Sequence, residues 1–278
     1  MYNLNGKVAL VTGAGGEHGM GRAIATRLAR EGADVIVNDI AEHPYAESQA
    51  DWAGIPDVVR EIEGMGQGAM GIVADVSDAT QVDNMVRQAL ERFGRIDILV
   101  NNAGARAGRD RVLVVDLDES DWDRVHRVNV KGTFLCCKAV ARQMIHLDQG
   151  GKIINMSSTS GKRGTARYAA YCASKFAVVG FTQSLAQELA PHRINVNAIC
   201  PGLVETERVG HIAAALKPQE ISTEDYQEQM VRRAVSGTPL GRIAQAEDVA
   251  KMTVFLASSE SDYLTGLSIS VSGGSVMS

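Results

Sequence analysis

Short apolar runs alternate along this chain with longer stretches of helical periodicity. Val8-Ala9-Leu10-Val11, Val35-Ile36-Val37, Gly71-Ile72-Val73, Ile98-Leu99-Val100, Ile153-Ile154, Val196-Asn197-Ala198-Ile199 and Leu267-Ser268-Ile269-Ser270-Val271 read as seven strands. Between them, 22–31, 81–93, 122–144, 171–189 and 246–256 place apolar residues three and four apart, the spacing of one helix face. Strands that are apolar on both faces, each followed by a helix, predict an α/β chain with a parallel sheet covered on both sides. The architecture expected is doubly wound and seven-stranded, in a single domain spanning 1–278 without repeats or linkers. Two connections break the rhythm. Residues 41–68 lengthen the link after the second strand, with Pro44, Trp52 and Pro56 ahead of a helix near 57–63. Residues 203–241 carry helical segments at 212–216 and 224–235, and long connections at strand ends are where substrate loops and lids form.

Composition narrows the chemistry. A net charge of −5 over 278 residues gives no electrostatic reason to expect nucleic acid, so small or neutral partners are favoured. Cys136, Cys137, Cys172 and Cys200 match neither a disulfide framework nor a zinc pattern, and read as reduced core residues. No metal is expected. The first residues lack a signal-like pattern and no apolar stretch approaches a membrane span, from which a cytoplasmic location is expected.

Tyr171 and Lys175 stand one helical turn apart on the same face. A free tyrosine ionises at about 10, and a neighbouring ammonium makes its phenolate accessible nearer neutrality. Ser158, thirteen residues upstream, follows the apolar run Ile153, Ile154, Met156 and offers a hydroxyl to a substrate oxygen. Taken alone, a Tyr-x-x-x-Lys spacing fits an ordinary helix surface, so the remaining motifs decide its meaning.

After the first strand, Thr12 to Gly21 reads TGAGGEHGMG and leads into a helix. Glycines allow a tight turn and close approach of backbone amides to a pyrophosphate at the helix N-terminus. The spacing departs from GxGxxG, because His18 takes the third glycine position; His18 is read as a loop residue. Asp39 ends the second strand, where a carboxylate accepts hydrogen bonds from a ribose 2′-hydroxyl and repels a 2′-phosphate. NAD is therefore expected rather than NADP. Glu17 supports that preference and Arg22 is the nearest counterargument.

In order along the chain, the glycine turn, Asp75-Val76, Asn101-Asn102-Ala103-Gly104, Asn129, Ser158, Tyr171 with Lys175, and Pro201-Gly202 leading to Thr206 resemble the short-chain dehydrogenase/reductase family over nearly the whole chain. The resemblance implies that Asn129, Ser158, Tyr171 and Lys175 form the catalytic set. It implies cofactor contacts from Gly13, Gly19, Met20, Gly21, Asp39, Asp75, Val76, Asn102, Ala103 and Gly104. Tyr171, Lys175, Pro201, Gly202, Val204 and Thr206 join them at the nicotinamide end. Asn129 is expected to support a water-linked proton path from Lys175. The family's glycine turn normally has three residues between its first two small positions, whereas five separate Gly13 from Gly19 here.

The expected reaction is reversible hydride transfer between a secondary alcohol and its ketone. The 175–206 segment looks most like polyol, acetoin and sugar-alcohol dehydrogenases, with a 3-oxoacyl-type ketoreductase as the alternative. A NAD(H)-sensing binding protein is the alternative of another class, and retention of the reactive set argues against it. The basic neighbourhood of Ser160, Lys162, Arg163 and Arg167 is either a contact for an anionic substrate group or a solvated rim. A homotetramer is the assembly that the resemblance implies.

Overall fold

The structure is a computed structural model and describes residues 2–46 and 51–277. Seven strands form one sheet: β1 (Val8–Thr12), β2 (Asp34–Asp39), β3 (Ala69–Val73), β4 (Ile98–Asn101), β5 (Gly151–Met156), β6 (Ile194–Pro201) and β7 (Ser268–Val271). Their spatial order is β3-β2-β1-β4-β5-β6-β7 and every pairing is parallel. Each predicted strand is present, six of them extended by one to four residues and β7 shorter by one. The central ones are buried end to end, as in the VALVT segment of β1, which is why they read as unbroken apolar runs.

The helices are α1 (Met20–Arg30), α2 (Ile55–Glu63), α3 (Ala79–Phe93), α4 (Glu119–His126), α5 (Thr133–Leu147), α6 (Ala169–Leu189), α7 (Glu207–Leu216), α8 (Thr223–Ser236) and α9 (Ala246–Ala257). They cover both faces of the sheet. One core layer joins the inward faces of α1, α2 and α9 to Ala9, Val11, Val35 and Val37; the other joins α3, α5 and α6 to Leu10, Ile36, Leu99 and Ile153. Alternate side chains of one strand thus serve opposite layers. Each fully buried Val, Leu or Ile contributes about 1.5–3 kcal/mol.

The single helix predicted over 122–144 is divided. A π-helical stretch, Arg127–Gly132, separates α4 from α5, and its last residue is closely packed. Gly132 sits against Val76, where an added Cβ would lie 2.8 Å from the valine Cγ2. The predicted 41–68 insertion does contain α2, and its residues 47–50 lie outside the described part of the chain. Because the chain runs outward in both directions from the β1–β4 junction, a crevice opens there at the strands' carboxyl ends.

Candidate active site

The crevice beyond β1 and β4 gathers most of the predicted cofactor residues. Gly13, Gly19, Met20, Asp39, Asp75, Val76, Asn102, Ala103, Gly104 and Thr206 all line it. The glycines are required by contact. Gly13 has φ 65° and a Cβ there would stand 2.8 Å from Ala103 Cα; one on Gly21 would stand 2.2 Å from the Gly13 carbonyl. Gly21 therefore shapes the turn from behind, without lining the crevice. Gly19 precedes α1, and no side chain caps that helix, which leaves its first amides for an anion. Asn102 fixes the strand end: its Nδ2 donates to the carbonyls of Thr12 at 2.9 Å and Gly13 at 2.8 Å. Its Oδ1 is buried without a protein partner.

The two extra residues of the glycine loop pack beneath the insertion. Gly15 lies under Pro44 and Gly16 under Tyr45, so closely that a Cβ on either would fall within 2.9 Å of the ring above. Trp52 donates its indole N–H to the Gly15 carbonyl at 2.8 Å. Pro44 and Tyr45 thereby reach the crevice wall. Tyr45 stacks on His211 of α7, with centroids 6.2 Å apart and 10° between planes, and the Arg106 guanidinium lies 4.4 Å from the Tyr45 ring centre. His18 is exposed, with its amide donating to Glu207 at 2.7 Å.

Asp39 holds still at the end of β2. Its carboxylate accepts the amides of Gly15 at 3.0 Å and Ile40 at 2.8 Å. Burial pushes its carboxyl up, and those amides with Arg106 oppose the rise. Arg22 is turned elsewhere, forking onto Glu61, donating to the Glu17 carbonyl and lying 4.7 Å from the Trp52 ring centre. This cradle, with free helix amides, a fixed carboxylate and no room for Cβ atoms, fits a nicotinamide dinucleotide.

On the other side of Met20 and Thr206 a second cavity of about 330 Å³ holds Ser158, Tyr171, Gly202 and Val204. The chain builds it from the end of β5 and the start of α6. Beyond Met156 the backbone extends to Ser158, whose hydroxyl accepts the Ser160 amide at 3.1 Å and begins a short 3-10 turn, Thr159–Gly161. Ser157 Oγ donates to the Lys175 carbonyl at 2.9 Å, and Lys175 Nζ donates to the Met156 carbonyl at 2.7 Å. These two bonds clamp α6 to the strand end and set Tyr171 beside Ser158. Burial pushes the Tyr171 phenol up, yet Arg208, Lys175, the Ser158 hydroxyl and Arg111 together hold it below its ordinary value. Burial also pulls the Lys175 ammonium down, against the attraction of a Tyr171 phenolate.

Lys175, Asn129 and Pro201 stand behind the cavity surface. Asn129 is 1% exposed in the π-helical stretch. Its Oδ1 accepts the Ala105 amide at 2.8 Å and its Nδ2 donates to Ser174 Oγ at 2.9 Å. Its direct partners are thus the β4 loop and α6, and no direct bond joins it to Lys175. The Asn129 carbonyl, released from the α pattern by the wider turn, accepts the Thr133 hydroxyl at 2.8 Å. Pro201 ends β6, and the Gly202 amide donates to Val271 at 3.0 Å.

Of the basic group read near Ser158, two members serve the fold. Lys162 donates to the Ser268 carbonyl at 2.6 Å and Arg167 to the Leu216 carbonyl at 3.2 Å. Ser160 and Arg163 line the cavity. The arginines nearest the phenol come from elsewhere and carry no local signature in the sequence. Arg208 of α7 and Arg111 after β4 place their guanidinium carbons 5.3 and 4.8 Å from the Tyr171 ring centre. Tyr168, one helical turn before Tyr171, also lines the cavity; its spacing alone was a legible signal.

A family model described as enoyl-(acyl carrier protein) reductase matches residues 13–276. A short-chain dehydrogenase/reductase of Armillaria gallica is 41% identical over 98% of this chain and 96% of its own. A sorbitol dehydrogenase of Cereibacter sphaeroides is 40% identical over 99% of both chains. The crystal structure of an NAD+-bound xylitol dehydrogenase superposes with a TM-score of 0.84, at 33% identity over 98% of this chain and 99% of that one. Matched from end to end by such relatives in sequence and in fold, the chain belongs to the short-chain dehydrogenase/reductase family.

Proposed function

We propose that this chain is an NAD-dependent dehydrogenase, interconverting a secondary alcohol of a polyol, sugar or hydroxy compound with its ketone. The observation that carries the reading is the Tyr171 phenol, hydrogen-bonded to Ser158 and held below its ordinary pKa by Arg208 and Lys175 at the cavity wall. Tyr171 as phenolate takes the hydroxyl proton as hydride leaves the same carbon. Ser158 holds the substrate oxygen and donates to it when negative charge develops. Lys175 stabilises the phenolate and holds the nicotinamide ribose, and Asn129 steadies the route by which the proton leaves past Lys175.

NAD supplies the hydride acceptor. Gly13, Gly19 and Met20 would hold its pyrophosphate with Gly21 shaping the turn behind them, Asp39 would hold its adenosine ribose, and Asp75 with Val76 its adenine. Asn102, Ala103 and Gly104 would line its path, and Gly202, Val204 and Thr206 would meet the nicotinamide, with Pro201 backing them at the end of β6. The fixed Asp39 carboxylate and the engagement of Arg22 by Glu61 favour NAD over NADP. The NAD+ in the solved xylitol dehydrogenase supports the same choice. A 3-oxoacyl-(acyl-carrier-protein) reductase of Thermotoga maritima, 39% identical over 99% of both chains, favours a second reading, a 3-oxoacyl-type ketoreductase. Rates with NAD and NADP on polyols, sugars and 3-oxoacyl thioesters separate the two.

Replacing Tyr171→Phe is expected to cut turnover by roughly 10²–10⁴-fold while NADH binding, read by fluorescence, stays nearly intact. Retained turnover sinks the assignment. The active unit is inferred to be a cytoplasmic homotetramer. Exposed Phe134 on α5 and Phe176 on α6 support pairing of those helices, and the four buried free thiols fit a reducing compartment. Sedimentation of the pure protein checks the tetramer.

A further inference from the structure

We propose that the alcohol taken by this site carries a carboxylate, received by Arg208 and Arg111; this deepens the dehydrogenase reading and rests on it. The substrate cavity is lined by five arginines, Arg111, Arg163, Arg208, Arg233 and Arg242, and by no aspartate or glutamate. Two of them are answered from behind. Arg242 pairs with Asp248 at 2.6 Å, and Arg111 pairs with Asp110. Asp110 is shared, because its other oxygen meets Arg124 at 3.1 Å, and Arg124 is also met by Asp121 at 3.4 Å. Arg163, Arg208 and Arg233 enter no ion pair among the described residues.

Of the cavity's arginines the two that flank the phenol are the most enclosed, and of these Arg208 has no ion pair among the described residues. Arg111 is 1% exposed, and its guanidinium carbon lies 4.4 Å from the Tyr168 ring centre as well as 4.8 Å from that of Tyr171. Its Nε is buried with no hydrogen-bond partner. Arg208 is half-buried, and among the described residues its side chain donates one hydrogen bond, to the Ala105 carbonyl at 2.8 Å, a neutral acceptor. Positive charge withdrawn from water without a counter-ion is unfavourable. A neutral polyol leaves that imbalance in place, whereas a carboxylate removes it. Guanidinium groups bind paired, coplanar oxygens by parallel N–H bonds, and Arg111 is fixed in orientation by two aromatic rings. A hydroxy acid or sugar acid is therefore the substrate class that completes this site.

The test uses six-carbon aldonates and alditols in matched configurations, which differ only in carboxylate against hydroxymethyl, assayed with the wild-type protein and NAD. The best aldonate is expected to exceed its alditol by roughly thirty-fold or more in kcat/KM, the value of one charge-assisted hydrogen-bonded contact. Arg208→Met is expected to shrink that ratio about ten-fold, mainly through KM for the aldonate. Equal or faster turnover of the alditol overturns the proposal, as does a ratio that Arg208→Met leaves unchanged. Preference for an alditol phosphate over the aldonate overturns the carboxylate assignment. Calorimetry of aldonate and alditol binding to the NADH-loaded protein separates the two readings. Selective aldonate binding without turnover of any alcohol fails the dehydrogenase reading and keeps the anion site. Turnover confined to neutral alcohols keeps the dehydrogenase and fails the anion site.

Discussion

At the scale of single residues, Tyr171 shows how a phenol buried in a cleft comes to ionise more easily than one in water. Burial opposes the phenolate, and the opposing cations must outweigh it; Arg208 leads them, with Lys175 next. The sign for oxidation follows. In the proposed mechanism phenolate is the reactive form, so kcat/KM for alcohol oxidation is expected to rise with pH and to level off above a midpoint that lies below the ordinary tyrosine value of about 10. Arg208→Met removes the leading attraction, so the midpoint moves up; a pH–rate profile in both proteins reads it directly, and an unmoved midpoint refutes the role. The i,i+4 relation of Tyr171 to Lys175 made that pair legible in the sequence, and the order of motifs made Ser158 legible. Arg111 and Arg208 were not legible. They reach the phenol only because the loop after β4 and the helix α7 fold over the same cavity, and nothing in their local sequence encodes that meeting.

At the scale of elements, hydrophobic periodicity located all seven strands, since each is short and apolar and the central ones are buried on both faces. The helices from 119 to 147 are the instructive exception. Their apolar spacing continues across the π-helical stretch, so the pattern shows one helix where the backbone widens. Gly132 is the residue that makes the packing possible, and Val76, a proposed adenine contact, is what it packs against. Gly132→Ala is expected to cost about 1–3 kcal/mol by overpacking. It should also weaken NAD binding by displacing Val76. Urea denaturation with and without NAD separates the two effects, and a variant with wild-type stability and affinity would show that this contact positions nothing.

At the scale of the whole molecule, the sheet and its two core layers fix the strand ends, while the parts that cover the crevice arrive from distant stretches of chain. The insertion after β2 contributes Pro44, Tyr45 and Trp52; the connection after β6 contributes Thr206, Arg208 and His211. The two proposed long connections were legible as interruptions, but their mutual contact was not. Tyr45 and His211 meet above the dinucleotide crevice, and burial together with Arg106 and Arg208 keeps His211 below its ordinary pKa, hence neutral at pH 7. A stacked pair of this kind is worth about 1 kcal/mol. Its consequence is temporal. The two walls meet where the proposed dinucleotide would lie, so parting of the rings is expected to gate cofactor release and to pace turnover. Stopped-flow displacement of NADH from Tyr45→Ala is expected to run roughly five-fold faster than from the parent chain, with the steady-state rate rising alongside it; equal release rates would mean that the doorway stands open on its own.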